Sequence, residues 1–145
     1  MKIKNEIVIE KAMQLGFDLV GFAKVEELSK ETANLEKWLE MKYNGDMEYM
    51  ERNLEKRRNV SKIFPEAKSI ISLGMNYYTD EQYSNQKDKG KISRYAWGKD
   101  YHLVIWEKLE QLESELKEID PGFESKSYVD TGPVMDKAWA VRAGL

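Results

Sequence analysis

Asp130 is the residue in this sequence whose type and position are best suited to chemistry. Residues 126–130 alternate in character, which predicts the end of a strand. Gly132 and Pro133 then break the strand, and Pro133 is well suited to the first position of a helix. Ligands often bind where strands end in α/β folds, so Asp130 is a candidate catalytic or binding carboxylate. The alternative is that Asp130 caps the helix, because Asp is common at that position.

A basic cluster is the second candidate site. It lies in a predicted helical segment that starts at Met47, and its members are Arg52, Lys56, Arg57 and Arg58. Such a cluster usually forms a solvated helix face. The alternative is an anion clamp, because each guanidinium offers a fixed fork of donors.

Residues 92–102 form the third candidate, a segment rich in aromatic and hydrogen-bonding side chains and poor in aliphatic ones. Loops of this composition often carry binding, although a structural loop packed by Tyr and Trp would look the same. The preceding residues 79–91 are polar and predict an exposed loop. His102 is the only histidine in the chain, which excludes a metal site built from several histidines.

The elements that must position these residues follow from the spacing of apolar side chains. The pattern predicts α/β or α+β architecture, with a mixed sheet flanked by helices in one domain over residues 1–145. Asp100 is expected to cap the longest helix, and Val141 to lie on the apolar face of the last one. Helices are predicted at residues 5–15, 32–41, 47–58, 101–119 and from 133 onward, and strands at 17–23, 69–75 and up to 130.

Composition limits the classes of function. The chain has 145 residues, of which 41% are hydrophobic and 34% charged, with a net charge of -3. This balance argues against binding nucleic acid through bulk charge, though not against a local basic patch. No apolar run approaches the roughly 20 residues of a membrane helix, and the start of the chain lacks the apolar core of a signal peptide, so a cytoplasmic location is expected. The chain contains no cysteine and therefore no thiolate ligands.

Three stretches together resemble a known family. They are residues 55–57, residues 93–102, and residues 128–133 running on to 138–145. In this order and spacing they are similar to the N-terminal, cobalamin-binding half of epoxyqueuosine reductase. The resemblance covers essentially the whole chain, and it implies a cobalamin-binding domain of the reductive-dehalogenase-like type.

The resemblance also implies an activity and its cofactors. That family is an oxidoreductase that converts epoxyqueuosine to queuosine in the tRNA anticodon loop, using cobalamin and two [4Fe–4S] clusters. Its cluster-binding cysteines come after the region matched here, so we expect a monomeric domain that is truncated before the ferredoxin-like part and is inactive alone. The alternative is a stand-alone, non-catalytic module that binds a corrinoid or a protein.

The resemblance assigns roles to individual residues. Asp130 matches the family's proton donor. The implied cobalamin contacts are Arg57, Ser93, Asp130 and Met135. Further residues in the matching motif, which could line the site, are Arg94, Tyr95 and His102. No metal ligand is expected within these residues.

Overall fold

The structure, a computed structural model, describes residues 3–145, so the first two residues of the predicted domain lie outside it. The described chain combines five helices with one two-stranded sheet. The helices are α1 (Asn5–Gln14), α2 (Ser29–Glu40), α3 (Leu54–Arg58), α4 (Tyr101–Ile119) and α5 (Asp136–Arg142). The strands are β1 (Leu19–Lys24) and β2 (Ser69–Gly74), and single 3-10 turns cover Glu48–Met50, Val60–Lys62 and Arg94–Ala96.

Most of the predicted elements are present near their predicted bounds. The broad class, mixed helix and strand, is confirmed, although the sheet is smaller than predicted. Helix α4 begins at the residue after Asp100, whose carboxylate accepts the backbone N–H of His102 at 2.9 Å, so the predicted cap is confirmed. No helix within residues 3–145 is both long and apolar enough to cross a bilayer.

The chain divides into two compact units. The first unit contains the described residues up to Asp18 together with Gly74–Phe123. In it α1 packs against α4, and the predicted apolar stripe of α4 is buried at Leu112 and Leu116. Lys11 of α1 and Glu115 of α4 form an ion pair of 3.1 Å beside this packing. The first unit is therefore a helix pair that carries the loops from Gly74 to Asp100.

The second unit contains Leu19–Leu73 and Glu124–Leu145, with a small apolar core of its own. Leu28, Val60 and Trp139 are its buried centre. Gly21 of β1 lies against the end of α5, because a Cβ at Gly21 would come within 2.6 Å of the carbonyl oxygen of Ala143. Helix α5 is thus fixed by a large aromatic side chain in the core and by close backbone contact with β1.

The segment before α5 differs from the prediction. The residues leading to Asp130 form no strand, and α5 begins at Asp136 instead of Pro133. Val141 is 72% exposed, so the predicted apolar face is wrong at that position. The physical reason is that the two-turn helix buries Trp139, its largest side chain, and this rotates Val141 outward.

Candidate functional site

One open pocket in the second unit brings together several of the candidate side chains. We call it the carboxylate pocket, and its volume is about 300 Å³. Helix α2, the 3-10 turn Glu48–Met50, α3 and the residues around the start of α5 each supply part of its wall. Its lining is Leu35, Met50, Arg57, Asp130, Val134, Met135, Asp136, Lys137 and Ala138.

Asp130 enters this pocket from a tight turn. Its φ is 50°, in the left-handed region that residues other than Gly, Asn and Asp rarely adopt. Two residues later, a Cβ at Gly132 would overlap the ring of Tyr128, so only glycine fits there. Non-glycine residues in the left-handed region cluster at active sites and ligand clamps.

The capping role left open for Asp130 is not what the structure shows. The N-cap of α5 is Met135, which makes no side-chain hydrogen bond to the helix. Asp130 lies five residues before this cap. Its place in the pocket therefore needs an explanation other than helix capping.

Asp136 is a second carboxyl group in the same pocket, and the sequence reasoning did not assign it a role. Burial of its carboxyl group among protein atoms raises its pKa, and the negative charge of Asp130 acts in the same direction. Its own backbone N–H and Arg57 oppose the shift. The residue as a whole stays exposed to solvent. The only signal in the sequence was its position, next to Met135.

Arg57 differs from the neighbouring arginines in its hydrogen bonding. Its Nε is buried and has no hydrogen-bond partner among the described residues. Arg58, by contrast, bonds to Glu36 at 2.7 Å, and Arg52 lies 3.8 Å from Glu48 on the surface. A buried donor without a partner is costly, so Arg57 offers a free N–H to an acceptor on a ligand.

An ion-pair network fixes the helix that carries Asp136. The guanidinium of Arg142 bonds both oxygens of Glu31 at 3.2 Å and also bonds Glu26. The backbone N–H of Glu31 is the main cause that lowers the pKa of that carboxyl, and Arg142 adds to the effect. Burial disfavours the charged form of Arg142, but the hydrogen bonds that it donates to Glu26 and Glu31 outweigh this effect and raise its pKa. The pocket wall is therefore anchored at the far end of α5.

Arg94, a predicted site-lining residue, lies in the first unit and organises the loop there. Its guanidinium donates to the carbonyl oxygens of Thr79 at 2.7 Å and Glu81 at 3.2 Å. The same group lies over the rings of Tyr78 and Tyr83, 5.1 and 5.4 Å from their centroids. These contacts tie residues 79–94 into one surface, which is a structural role for Arg94.

Tyr95 and His102 line an open pocket of about 320 Å³ in the same unit. His102 Nδ1 lies 2.9 Å from the carboxylate of Asp100. The backbone N–H of His102, and then its ring, lower the pKa of Asp100. Ser93 is exposed, and its carbonyl oxygen accepts the N–H of Ala96 at 3.0 Å.

The predicted site residues are thus divided between the two units. Arg57, Asp130 and Met135 share the carboxylate pocket, whereas Ser93, Arg94, Tyr95 and His102 belong to the first unit. Among residues 3–145 no group of three or more His, Cys, Asp or Glu side chains is arranged to hold a metal ion.

The residues between Arg57 and the Asp130 turn match a known protein family. The family described as epoxyqueuosine reductase QueG, DUF1730, matches residues 57–131, which is more than half of the chain. The chain belongs to the epoxyqueuosine reductase family. The epoxyqueuosine reductase of Synechocystis sp. is 46% identical over 128 residues, and that of Cellulophaga algicola 42% identical over 141. These alignments cover 87% and 97% of this chain but 44% and 45% of the relatives, so the chain spans less than half their length.

Solved epoxyqueuosine reductases have the same fold in this region. The Streptococcus thermophilus structure superposes with a TM-score of 0.85 at 32% identity, covering 99% of this chain and 39% of that one. A complex with an epoxyqueuosine-modified tRNA-Tyr stem loop matches at 0.78 and 34%, covering 95% and 37%. The Bacillus subtilis enzyme, with its aspartate catalytic loop swung out of the active site, matches at 0.77 and 32%, covering 96% and 37%.

Proposed function

We propose that this chain is the cobalamin- and substrate-binding part of an oxidoreductase that converts epoxyqueuosine to queuosine in the tRNA anticodon loop. The observation that carries the proposal is the carboxylate pocket, which joins Arg57, Asp130 and Met135, three residues with proposed roles in this reaction. Membership of the family supports the activity, and the relative bound to an epoxyqueuosine-modified stem loop supports tRNA as the substrate. Such an enzyme would work in the cytoplasm, where tRNA is modified.

The lining of the carboxylate pocket fits the edge of a large, mostly apolar macrocycle with polar side arms. Its wall contains five apolar side chains, of which Met50 and Met135 are flexible enough to adapt to an irregular ring. The unpaired Nε of Arg57 is suited to an amide or phosphate oxygen on a side arm. Bound cobalamin would supply the electrons that reduce the epoxide. Ser93 stays a proposed contact on the strength of its motif.

Asp130 is proposed to protonate the departing epoxide oxygen. Reduction of an epoxide to an alkene consumes two electrons and two protons, breaks both C–O bonds and releases the oxygen as water. A positioned acid is needed because the departing oxygen leaves poorly as an oxide. Asp130 would donate that proton, and Asp136 lies beside it in the same pocket with a pKa that burial raises. The Bacillus subtilis relative has its aspartate catalytic loop swung out of the active site, which supports a mobile acid-bearing loop in this family.

The electrons would reach cobalamin from two [4Fe–4S] clusters that residues outside this chain would bind. In this proposal these 145 residues provide the proton donor, contacts to the substrate and one wall of the cofactor site. Other residues deliver the electrons.

Titration of cob(II)alamin tests the cofactor assignment. We expect Arg57→Gln to weaken binding by about 10-fold, the effect of losing one hydrogen bond to a charged group. Arg52→Gln is the matched control, because Arg52 is a surface arginine from the same cluster that does not line the pocket. Absence of binding both by this chain and by a longer protein that includes the cluster domain would rule out the cobalamin assignment. Equal weakening in the two variants would remove Arg57 from the site.

A further inference from the structure

A row of exposed tyrosines in the first unit has no role in the proposed chemistry. Tyr77 and Tyr78 are each 64% exposed, and Tyr95 is 51% exposed. The rings of Tyr77 and Tyr95 meet edge to face, with centroids 6.3 Å apart and planes at 76°. An edge-to-face pair leaves at least one ring face uncovered, so flat aromatic surface stays open to solvent.

The row is held in place by contacts within its own loop. Arg94 lies 5.1 Å from the centroid of Tyr78 and donates to two backbone carbonyl groups of the same loop. Tyr95 also packs edge to face on Tyr101, the first residue of α4, with centroids 5.9 Å apart. The rings are therefore positioned before any partner arrives, which lowers the entropy cost of binding.

The charge around this row is opposite to that of the chain. Residues 77–99, which include all three tyrosines of the row, carry five basic and three acidic side chains, whereas the whole chain has a net charge of -3. The basic residues are Lys87, Lys89, Lys91, Arg94 and Lys99. Such a segment attracts polyanions locally even in an acidic protein.

These two features together favour one kind of partner. Surfaces that bind single-stranded nucleic acid combine aromatic side chains, on which bases stack, with basic groups that follow the backbone. Lysine is depleted in the cores of protein interfaces, which makes a protein partner a poorer fit. A duplex is a poorer fit as well, because its bases are stacked on one another and show no free face to a side chain.

We propose that Tyr77, Tyr78 and Tyr95 form a stacking surface for unpaired RNA bases, with the lysines of residues 87–91 near the phosphates. We call it the aromatic surface. The inference deepens the proposed function and rests on it for the choice of RNA, because the reactive nucleoside would lie in a loop of unpaired nucleotides. In this role the surface sets substrate affinity and takes no part in proton transfer.

Fluorescence anisotropy with this chain tests the assignment. The probe is a short fluorescein-labelled single-stranded oligoribonucleotide without epoxyqueuosine, and the comparison is a blunt RNA duplex of the same length. We expect the single strand to bind more tightly than the duplex. Replacement of Tyr77 and Tyr78 by Ala should weaken single-strand binding by about 5- to 150-fold for each base that can no longer stack. Replacement of both by Phe keeps the ring faces and should preserve binding.

The matched control is the pair Tyr43→Ala and Tyr49→Ala, which removes two tyrosines that are 61% and 58% exposed in the second unit. A further variant, Lys89→Gln with Lys91→Gln, should lower the slope of log K against log salt by about 0.7 for each phosphate that is no longer neutralised. Circular dichroism and thermal melts confirm that each variant is folded.

Three outcomes would overturn the aromatic surface as an RNA site: equal affinity for duplex and single strand, equal loss in the control pair, or unchanged binding after Tyr77→Ala and Tyr78→Ala. Failure of single-strand binding with cobalamin binding retained would remove this surface and leave the proposed function intact. Retained RNA binding without cobalamin binding would keep the aromatic surface and remove the proposed cofactor role.

Discussion

The carboxylate pocket and the aromatic surface are built in opposite ways. The pocket assembles side chains from residues 35 to 138, and contacts far along the chain hold its wall, such as Gly21 against Ala143. The aromatic surface comes from one continuous stretch, residues 77–95, and its rings are mostly exposed. Acid chemistry is sensitive to displacements of about 1 Å, whereas stacking tolerates a softer arrangement.

This difference separates the effects that substitutions should have in the two regions. A change in the pocket should alter the reaction step or the fold that supports it. A change in the aromatic surface should alter the affinity for RNA and leave the stability of the second unit unchanged. Each prediction below tests one side of this contrast.

The largest effect is expected at Asp130, measured in a longer protein that includes the electron-delivering part. Asp130→Asn should reduce single-turnover reduction of epoxyqueuosine-containing RNA by about 10²- to 10⁴-fold, the usual loss for a positioned acid. Asn also tolerates the φ of 50°, so the melting temperature and cobalamin affinity should stay near wild type.

Asp46→Asn, in the exposed turn before Glu48, controls for loss of a carboxylate elsewhere. Near wild-type turnover in Asp130→Asn would leave the pocket without its acid. Acid chemistry would then no longer distinguish the carboxylate pocket from the aromatic surface.

The next effect concerns the support of the pocket. Gly21→Ala should destabilise the chain by about 1–3 kcal/mol, because the added methyl group overlaps the Ala143 carbonyl and overpacks the contact between β1 and α5. Gly90→Ala is the control: Gly90 lies in the loop near the aromatic surface, where a Cβ meets nothing within 4 Å. Urea denaturation measures both. Equal stability of the two variants would mean that the close approach at Gly21 does not hold α5.

The sequence predicted the elements whose signals are local. The stripe of α4 and its Asp100 cap need only the spacing of residues within the helix, and both are confirmed. The segment before Asp130 was predicted as a strand because its side chains alternate. A strand also needs a neighbour to pair with, and no third strand is present within residues 3–145. Local alternation carries no information about that neighbour.

The parts of the site that the sequence could not supply depend on contacts between distant residues. Four basic residues looked alike in sequence, and only the structure shows that Arg58 is paired with Glu36 while Arg57 keeps a buried, unpaired Nε. Asp136 became a candidate only when the folded chain placed it beside Asp130. The family resemblance assigned roles to Asp130 and Arg57, and the structure places both residues in the same pocket. Their roles stay predictions.

The smallest effect is a difference in pH dependence between the two regions. Burial raises the pKa of Asp136 above its ordinary value of 3.8, so its ionisation costs stability as pH rises from 3.8 through the folded-state pKa. The N–H of His102 lowers the pKa of Asp100 below 3.8, so its charge adds stability that is present above 3.8 and lost as pH falls through the folded-state pKa.

Substitution by Asn should therefore act in opposite directions at the two sites. Asp136→Asn removes an unfavourable ionisation and should raise the melting temperature at pH 7. Asp100→Asn keeps a cap but loses the charge, and it should lower the melting temperature at pH 7. Both differences should shrink towards acid pH, because each wild-type carboxyl group then becomes neutral. Thermal melts from pH 3 to pH 7 measure them, and a lower melting temperature for Asp136→Asn at pH 7 would show that the pocket stabilises the charged form of this carboxyl group.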